Sequence, residues 1–243
     1  MKAMIFAAGL GTRLKPITDT LPKALVPIAG KTLLEHTILK LKSSGFTDIV
    51  INVHHFACQI IDFLKANNNF GVKISISDES GMLLETGGGI KKAAPLLGSE
   101  PFLIHNVDII SNVDLKSLFE SHLASNADAT LLVSKRNSSR ALLFDASGNL
   151  AAWKNLNTGE VKTPYKSLDF DSLKEYAFSG IHVFSPSLFP LMENYPDKFP
   201  IMDFYLDVCS SASIKASVSN NLKLIDVGKL DSLAEAENYL IEI

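Results

Sequence analysis

Along the first half of the chain, short apolar runs alternate with stretches of helical periodicity. Ala3 to Ala8 is almost purely apolar, the pattern of a buried strand. Leu33 to Leu41 carries apolar residues at helical spacing and stops near Gly45. Asp48 to Val53 reads as a second buried strand. Ile60 to Leu64 predicts another amphipathic helix, ending at Asn67-Asn68-Asn69, and Val72 to Ser77 alternates as a third strand. Strand, helix, strand repetition predicts a three-layer α/β fold on a mostly parallel sheet with right-handed crossovers. Ligands on such sheets sit at the carboxyl ends of the strands. The loop after Ala8 is at such an end.

In the second half, Pro101 to Asp108 is a buried strand that closes on a carboxylate. Asp114, followed by Leu115, reads as a helix N-cap. Asp128 to Ser134 gives a further strand, and Ala141–Phe144 and Asn149–Trp153 flank a hairpin-like turn, Asp145–Gly148. Residues 154 to 176 are polar and weakly patterned. Phe178 to Phe184 is a strand, Ile201 to Val208 a helix after Pro200, and Ile214–Val218 and Leu222–Val227 the last strands before a helix over Asp231 to Leu240. With no linker, repeat or low-complexity tract, a single domain over residues 1–243 is expected.

The composition fits that expectation: 243 residues, 47% hydrophobic and 20% charged, suffice for one large α/β domain. The net charge of −3 gives no sign of a nucleic-acid surface. It leaves room for a small anionic ligand, which needs only local positive charge. Cys58 and Cys209 fit neither zinc spacing nor a disulfide framework, so a reducing, cytoplasmic setting is expected. No apolar stretch approaches membrane-spanning length, and the run from Met4 to Ala8 is too short for a signal segment.

The chemistry concentrates in Ala7-Ala8-Gly9-Leu10-Gly11-Thr12-Arg13-Leu14-Lys15-Pro16. Glycines directly after a strand let backbone N–H groups approach an anion, and Arg13 adds a planar cationic fork. A Walker A loop would need Gly-Lys-Ser/Thr, which is missing. A dinucleotide fingerprint would need a third Gly or Ala where Leu14 stands, and Pro16 obstructs an immediate helix. The kinase glycine loop would need partner motifs that are absent. The remaining readings are a nucleoside triphosphate loop and a plain turn with an exposed Arg. Next comes Leu21-Pro22-Lys23-Ala24-Leu25-Val26-Pro27-Ile28-Ala29-Gly30-Lys31, where two prolines stiffen the backbone around Lys23.

Together these two stretches resemble the signature of the sugar-1-phosphate nucleotidylyltransferases. Leu84-Glu85-Thr86-Gly87-Gly88-Gly89 is similar to the wording found in the N-acetylmuramate 1-phosphate uridylyltransferases among them. On its own this segment reads either as a helix start with Thr86 as N-cap or as a flat glycine platform beside a base; the resemblance favours the platform. It implies a Rossmann-like nucleotide-diphospho-sugar transferase fold with a mostly parallel mixed sheet. It further implies that Ala8, Gly9, Gly11, Thr12, Arg13, Lys23 and Gly88 bind the nucleotide. Asp108, an equally plausible turn cap by itself, becomes a Mg²⁺ ligand, with Asp226 of Asp226-Val227-Gly228 as the second. Gly180 lies against the sugar in this reading, and Lys154 contacts the acceptor phosphate, though Lys154, Lys162 and Lys166 also read as solvated surface lysines. The chain departs from the family at Val107, where glycine is usual, and at Lys229, where threonine is usual. His54 and His55, adjacent on an extended segment, face opposite ways and cannot share a metal. His182, between hydrophobic neighbours, reads as structural.

The activity so implied is transfer of a nucleotidyl group from a nucleoside triphosphate, UTP favoured, to a sugar 1-phosphate, N-acetylmuramate 1-phosphate favoured. Arg13, Lys23 and Asp108 would be catalytic and Mg²⁺ the cofactor. The rivals are a mannose- or heptose-1-phosphate guanylyltransferase and a nucleotide-sugar sensor that has lost catalysis. Neither nucleic acid nor membrane is an expected partner, and oligomeric state is not legible.

Overall fold

β1 (Lys2–Phe6) runs through the middle of the sheet in the computed structural model, which describes residues 1–242. Its Ala3, Met4 and Ile5 have no exposed surface. After β1 come a small hairpin, β2 (Pro27–Ile28) with β3 (Lys31–Thr32), and helix α1 (Leu33–Ser43). Thr32 caps α1, its Oγ1 accepting from Glu35 N–H at 3.0 Å. Leu33, Leu34, Ile38 and Leu41, spaced at three and four, form the buried stripe of α1. β4 (Asp48–Val53), α2 (Ala57–Ala66), β5 (Lys73–Asp78), α3 (Glu85–Leu97) and β6 (Phe102–Asn106) continue the alternation. The parallel order β6-β1-β4-β5 is the half of the sheet that the periodicity predicts.

The other half is antiparallel. β7 (Ile109–Ser111) and α4 (Leu115–Ser125) follow β6, and Asp114 caps α4 through Ser117 N–H at 3.0 Å. β8 (Ala129–Ser134), β9 (Arg140–Phe144), β10 (Leu150–Asn155) and β11 (Val161–Lys162) lead to the long β12 (Lys174–Phe184). β12 pairs with β9 through Lys174–Tyr176, and with β6 and β8 further on. A bulge between Phe178 and His182 interrupts the pairing with β8, and Gly180 within it takes φ +71°. The sheet is therefore mixed, with its parallel strands on the side of β1. α5 (Phe189–Met192), α6 (Ile201–Val208), β13 (Ile214–Val218), β14 (Leu224–Asp226) and α7 (Asp231–Glu242) complete the chain. β13 lies parallel to β8, and β14 pairs antiparallel with β7 in a separate two-stranded sheet.

Two hydrophobic clusters flank the sheet, which makes three layers. Ala3 and Ile5 belong to the one with buried residues of α1, α2, α4 and α7; Met4 belongs to the other, with α3, α5 and α6. The helix over Glu85–Leu97 begins after Leu84, so Thr86 lies in its first turn instead of capping it. Thr86 Oγ1 accepts from Ile201 N–H at 2.9 Å and ties α3 to α6.

His122 and His182 are buried in the core. His122 Nδ1 lies 2.8 Å from Thr130 Oγ1 and its Nε2 2.9 Å from Ser185 Oγ. His182 packs edge-on against Tyr205, and neither of its ring nitrogens has a hydrogen-bond partner among the described residues. Burial lowers His122 to about 4 and His182 to about 3 from 6.5. The unfolded chain then takes up protons that the fold refuses. Stability is complete above about pH 6.5 and falls as pH drops toward 4, by at most ~1.4 kcal/mol per pH unit for each histidine. Urea midpoints at pH 7.5 and pH 5 should show this loss, and His182→Leu should show a smaller one.

Candidate functional site

The loop after β1 is fixed by its own backbone. Gly11 takes φ +65°, and a Cβ there would lie 2.9 Å from Thr18 Cγ2 and 3.0 Å from Lys23 Cβ. Its carbonyl accepts from Leu14 N–H and from Thr18 Oγ1, both at 2.8 Å. Leu14 is fully buried, which anchors the tight turn Thr12–Leu14 and leaves Thr12 and Arg13 exposed. Pro22 starts a second turn, closed by Leu25 N–H to Pro22 O at 2.8 Å. This turn buries Lys23, whose ammonium makes an ion pair with Asp108.

Asp226 arrives from the far end of the chain. In the β14–β7 register it lies opposite Ile109, and Val227 N–H donates to Asp108 O at 2.8 Å. The two acids are thus brought together. Partial desolvation, and then repulsion from Asp108, pushes the Asp226 carboxyl above its ordinary range; Lys23, Arg13 and Arg136 pull the other way. Arg13 passes over Gly228, where an added Cβ would fall 2.6 Å from Arg13 Nη2 and 2.7 Å from Asp226 Oδ1. Arg136 donates from Nη2 to Phe178 O at 2.8 Å. Three cations therefore surround two carboxylates.

A cavity of about 390 Å³ opens beside this cluster, lined by Ala8, Gly9, Lys23, Asn52, Thr86 and Asp108 among others. A hydrogen-bonded chain braces one wall. Ala7 N–H donates to Asn52 Oδ1 at 2.8 Å, Asn52 Nδ2 to Glu79 Oε1 at 2.7 Å, and Leu84 N–H to Glu79 Oε2 at 3.2 Å. Burial raises the pKa of the Glu79 carboxyl. A second cavity, of about 470 Å³, shares Thr86 and Pro200 with the first.

The structure thus places Ala8, Gly9, Lys23 and Asp108 on the first cavity, Arg13 beside Asp226, and Gly11 against Lys23. Thr12 lies outside that lining. Gly88 does not present a flat face to it either. A Cβ at Gly88 would fall 2.0 Å from Asp197 O, and its N–H donates to Phe199 O at 3.2 Å. Gly180 packs against Asn106 Nδ2 inside the sheet, and it is Asn106 that lines the cavity. Lys154 pairs with Glu175 at 3.1 Å and lines neither cavity; Lys162 lines the second. Asn52, Glu79 and Gly228 join the site without having been singled out as its members, and Arg136, which the sequence leaves open with Arg140 and the lysines as a cation facing a muramate carboxylate, lies on the Asp226 side. Asn52 had a visible signal, a polar residue inside an apolar strand.

Among the described residues no three His, Cys, Asp or Glu side chains gather as a metal cluster. Two converging carboxylates, one of them pushed up by burial and then by the other, still suit a hard divalent cation whose remaining ligands are phosphate and water oxygens. Asp108 and Asp226 could hold Mg²⁺ on those terms.

Residues 2–242 match the family described as nucleotidyl transferase. An N-acetylmuramate α-1-phosphate uridylyltransferase of Neisseria meningitidis is 47% identical over 121 residues, 50% of this chain and 52% of that protein. The match thus spans about half the length of that relative. A UTP–glucose-1-phosphate uridylyltransferase of Synechocystis is 26% identical across 97% of this chain and 62% of its own length. The crystal structure of HddC from Yersinia pseudotuberculosis, complexed with GMP-PN, superposes with a TM-score of 0.76 at 26% identity, covering 98% of this chain and 99% of that one.

The glycines should separate by substitution. Gly88→Ala and Gly11→Ala should each lower stability by about 1–3 kcal/mol, from overpacking and from backbone strain. Gly9→Ala meets nothing within 4 Å and should leave the thermal midpoint unchanged. Thermal melts of the three variants provide the check.

Proposed function

The chain belongs to the nucleotidyl transferase family, and from that membership we propose that it transfers a nucleotidyl group from a nucleoside triphosphate to a sugar 1-phosphate. UTP and N-acetylmuramate 1-phosphate are the favoured substrates, a choice supported by the similarity to the Neisseria uridylyltransferase over half of the chain. The observation that carries the reading is the convergence of Asp108 and Asp226 beside the glycine loop, with Lys23 and Arg13 against them.

A phosphate oxygen of the acceptor attacks the α-phosphorus in line. A new P–O bond forms, the α–β bridge bond breaks, and pyrophosphate leaves with its electron pair. The attacking oxygen is already anionic at neutral pH, so no general base is needed. The barrier is dominated by bringing two polyanions together, which positioned cations offset. In this reading Gly9 and Gly11 offer backbone to the nucleotide, Lys23 neutralises charge at the reacting phosphates, and Arg13 holds the departing pyrophosphate. Arg136 adds positive charge on the Asp226 side. Asp108 and Asp226 would hold Mg²⁺, which supplies further charge neutralisation when bound. A reducing, cytoplasmic setting belongs to the same proposal, supported by two unpaired thiols, Cys58 and Cys209. No helix of the described residues is long and apolar enough to cross a membrane.

A second reading, guanylyl transfer, is favoured by the likeness to HddC, whose structure holds GMP-PN. Pyrophosphate release from a matrix of nucleoside triphosphates and sugar 1-phosphates decides between the two. UTP with N-acetylmuramate 1-phosphate should give the highest rate, and EDTA should abolish it. A higher rate with GTP would select the second reading. Arg13→Ala, Asp108→Asn and Asp226→Asn should each lower turnover on the order of a hundredfold or more, with the fold intact by circular dichroism. Near-normal turnover in any of them would remove that residue from the mechanism.

A further inference from the structure

The second cavity carries an uncompensated charge. Its charged lining consists of Arg140, Lys162 and Asp203. Lys162 Nζ lies 3.5 Å from Asp203 Oδ1 and 5.4 Å from the centre of the Trp153 ring, so these two charges compensate each other. Arg140, the first residue of β9, has no hydrogen-bond or ion-pair partner for its guanidinium among the described residues; its backbone N–H donates to Ser138 Oγ at 3.2 Å. The net charge of the lining is therefore that of Arg140 alone. Much of the remaining wall is apolar, formed by Leu142, Trp153, Phe178 and Met202. An apolar wall with one convergent polar group is the usual build of a small-molecule pocket, and about 470 Å³ is ample for a substituted sugar. This cavity shares Thr86 and Pro200 with the one that holds Asp108, so the two adjoin.

We propose that Arg140 is a specificity-determining residue, which reads a carboxylate carried by the acceptor sugar at a ring position away from its phosphate. The inference rests on the sugar-1-phosphate reading above and adds the residue that selects among acceptors. A guanidinium offers a carboxylate two parallel N–H donors in a fixed plane. Arg140 starts its strand where the chain leaves the loop 135–139, so its position is fixed by the β9–β10 pairing, in which it lies opposite Asn155. The apolar wall receives the carbon face of the ring, and the Lys162–Asp203 pair closes the far side without adding net charge. A neutral acceptor fills the same space and leaves Arg140 to water.

The test compares N-acetylmuramate 1-phosphate with N-acetylglucosamine 1-phosphate, the same ring without the lactyl carboxylate, at one fixed nucleoside triphosphate. The wild-type protein should favour the carboxylate-bearing acceptor in kcat/KM by about ten- to a hundredfold. Arg140→Gln should bring the ratio of the two toward one, chiefly through KM for the muramate, and Arg140→Lys should keep an intermediate ratio. Equal use of both acceptors by the wild type, or an unchanged ratio in Arg140→Gln, overturns the role of Arg140 and leaves nucleotidyl transfer standing. Absence of pyrophosphate release with either acceptor and any nucleoside triphosphate overturns both readings. Arg140 is exposed, so neither variant disturbs the core.

Discussion

Two carboxylates that repel each other are held side by side, and much of the surrounding architecture offsets that repulsion. Asp108 follows a central parallel strand and Asp226 ends a short strand over a hundred residues later. The β7–β14 pairing and the Val227 to Asp108 backbone hydrogen bond fix their approach. Lys23 is buried against Asp108, Arg13 lies over Gly228 on the Asp226 side, and Arg136 adds a third positive charge felt by Asp226. Such an arrangement is costly without its cations, and it is suited to a ligand that brings charges of both signs. The stiff proline-flanked turn around Lys23 and the left-handed Gly11 place positive charge where a flexible lysine would lose it to solvent.

A second constraint is the buried polar chain from Ala7 through Asn52 and Glu79 to Leu84. It connects β1, β4, the end of β5 and the start of α3 by hydrogen bonds in a region shielded from water. Buried polar groups persist when each is paired, and here every link has a partner. The chain therefore sets the shape of one wall of the first cavity, which Asn52 and Glu79 line. Glu85, on the rim of the same cavity, sits at φ +61°, a strained backbone position for a residue with a side chain.

The parallel half of the fold was legible because its strands are short runs, mostly apolar or alternating, and its helices carry apolar stripes at helical spacing. The antiparallel half was less so. β12 pairs with β9 up to Tyr176 and with β8 and β6 beyond it, and nothing in its local pattern tells which strand lies beside it. The local turns at Gly11 and around Lys23, each set within one backbone segment, could be read from their neighbours in sequence. Gly88 could not, because the atom that fills the space above it belongs to Asp197. Lys154 and Lys162 illustrate the same limit. They sit on paired strands, Lys154 opposite Val161 and Trp153 opposite Lys162, and only the pairing decides which lysine faces a cavity.

The glycine pair at the start of α3 has a consequence for how such proteins can diversify. Gly87 and Gly88 accept the backbone of residues 197–199 at contact distance, and Thr86 fastens Ile201. Pro200, within that clasp, borders both cavities. The two cavities thus meet at a shared seam, and a segment transplanted from a relative to reshape one would have to carry its own matching helix start with it.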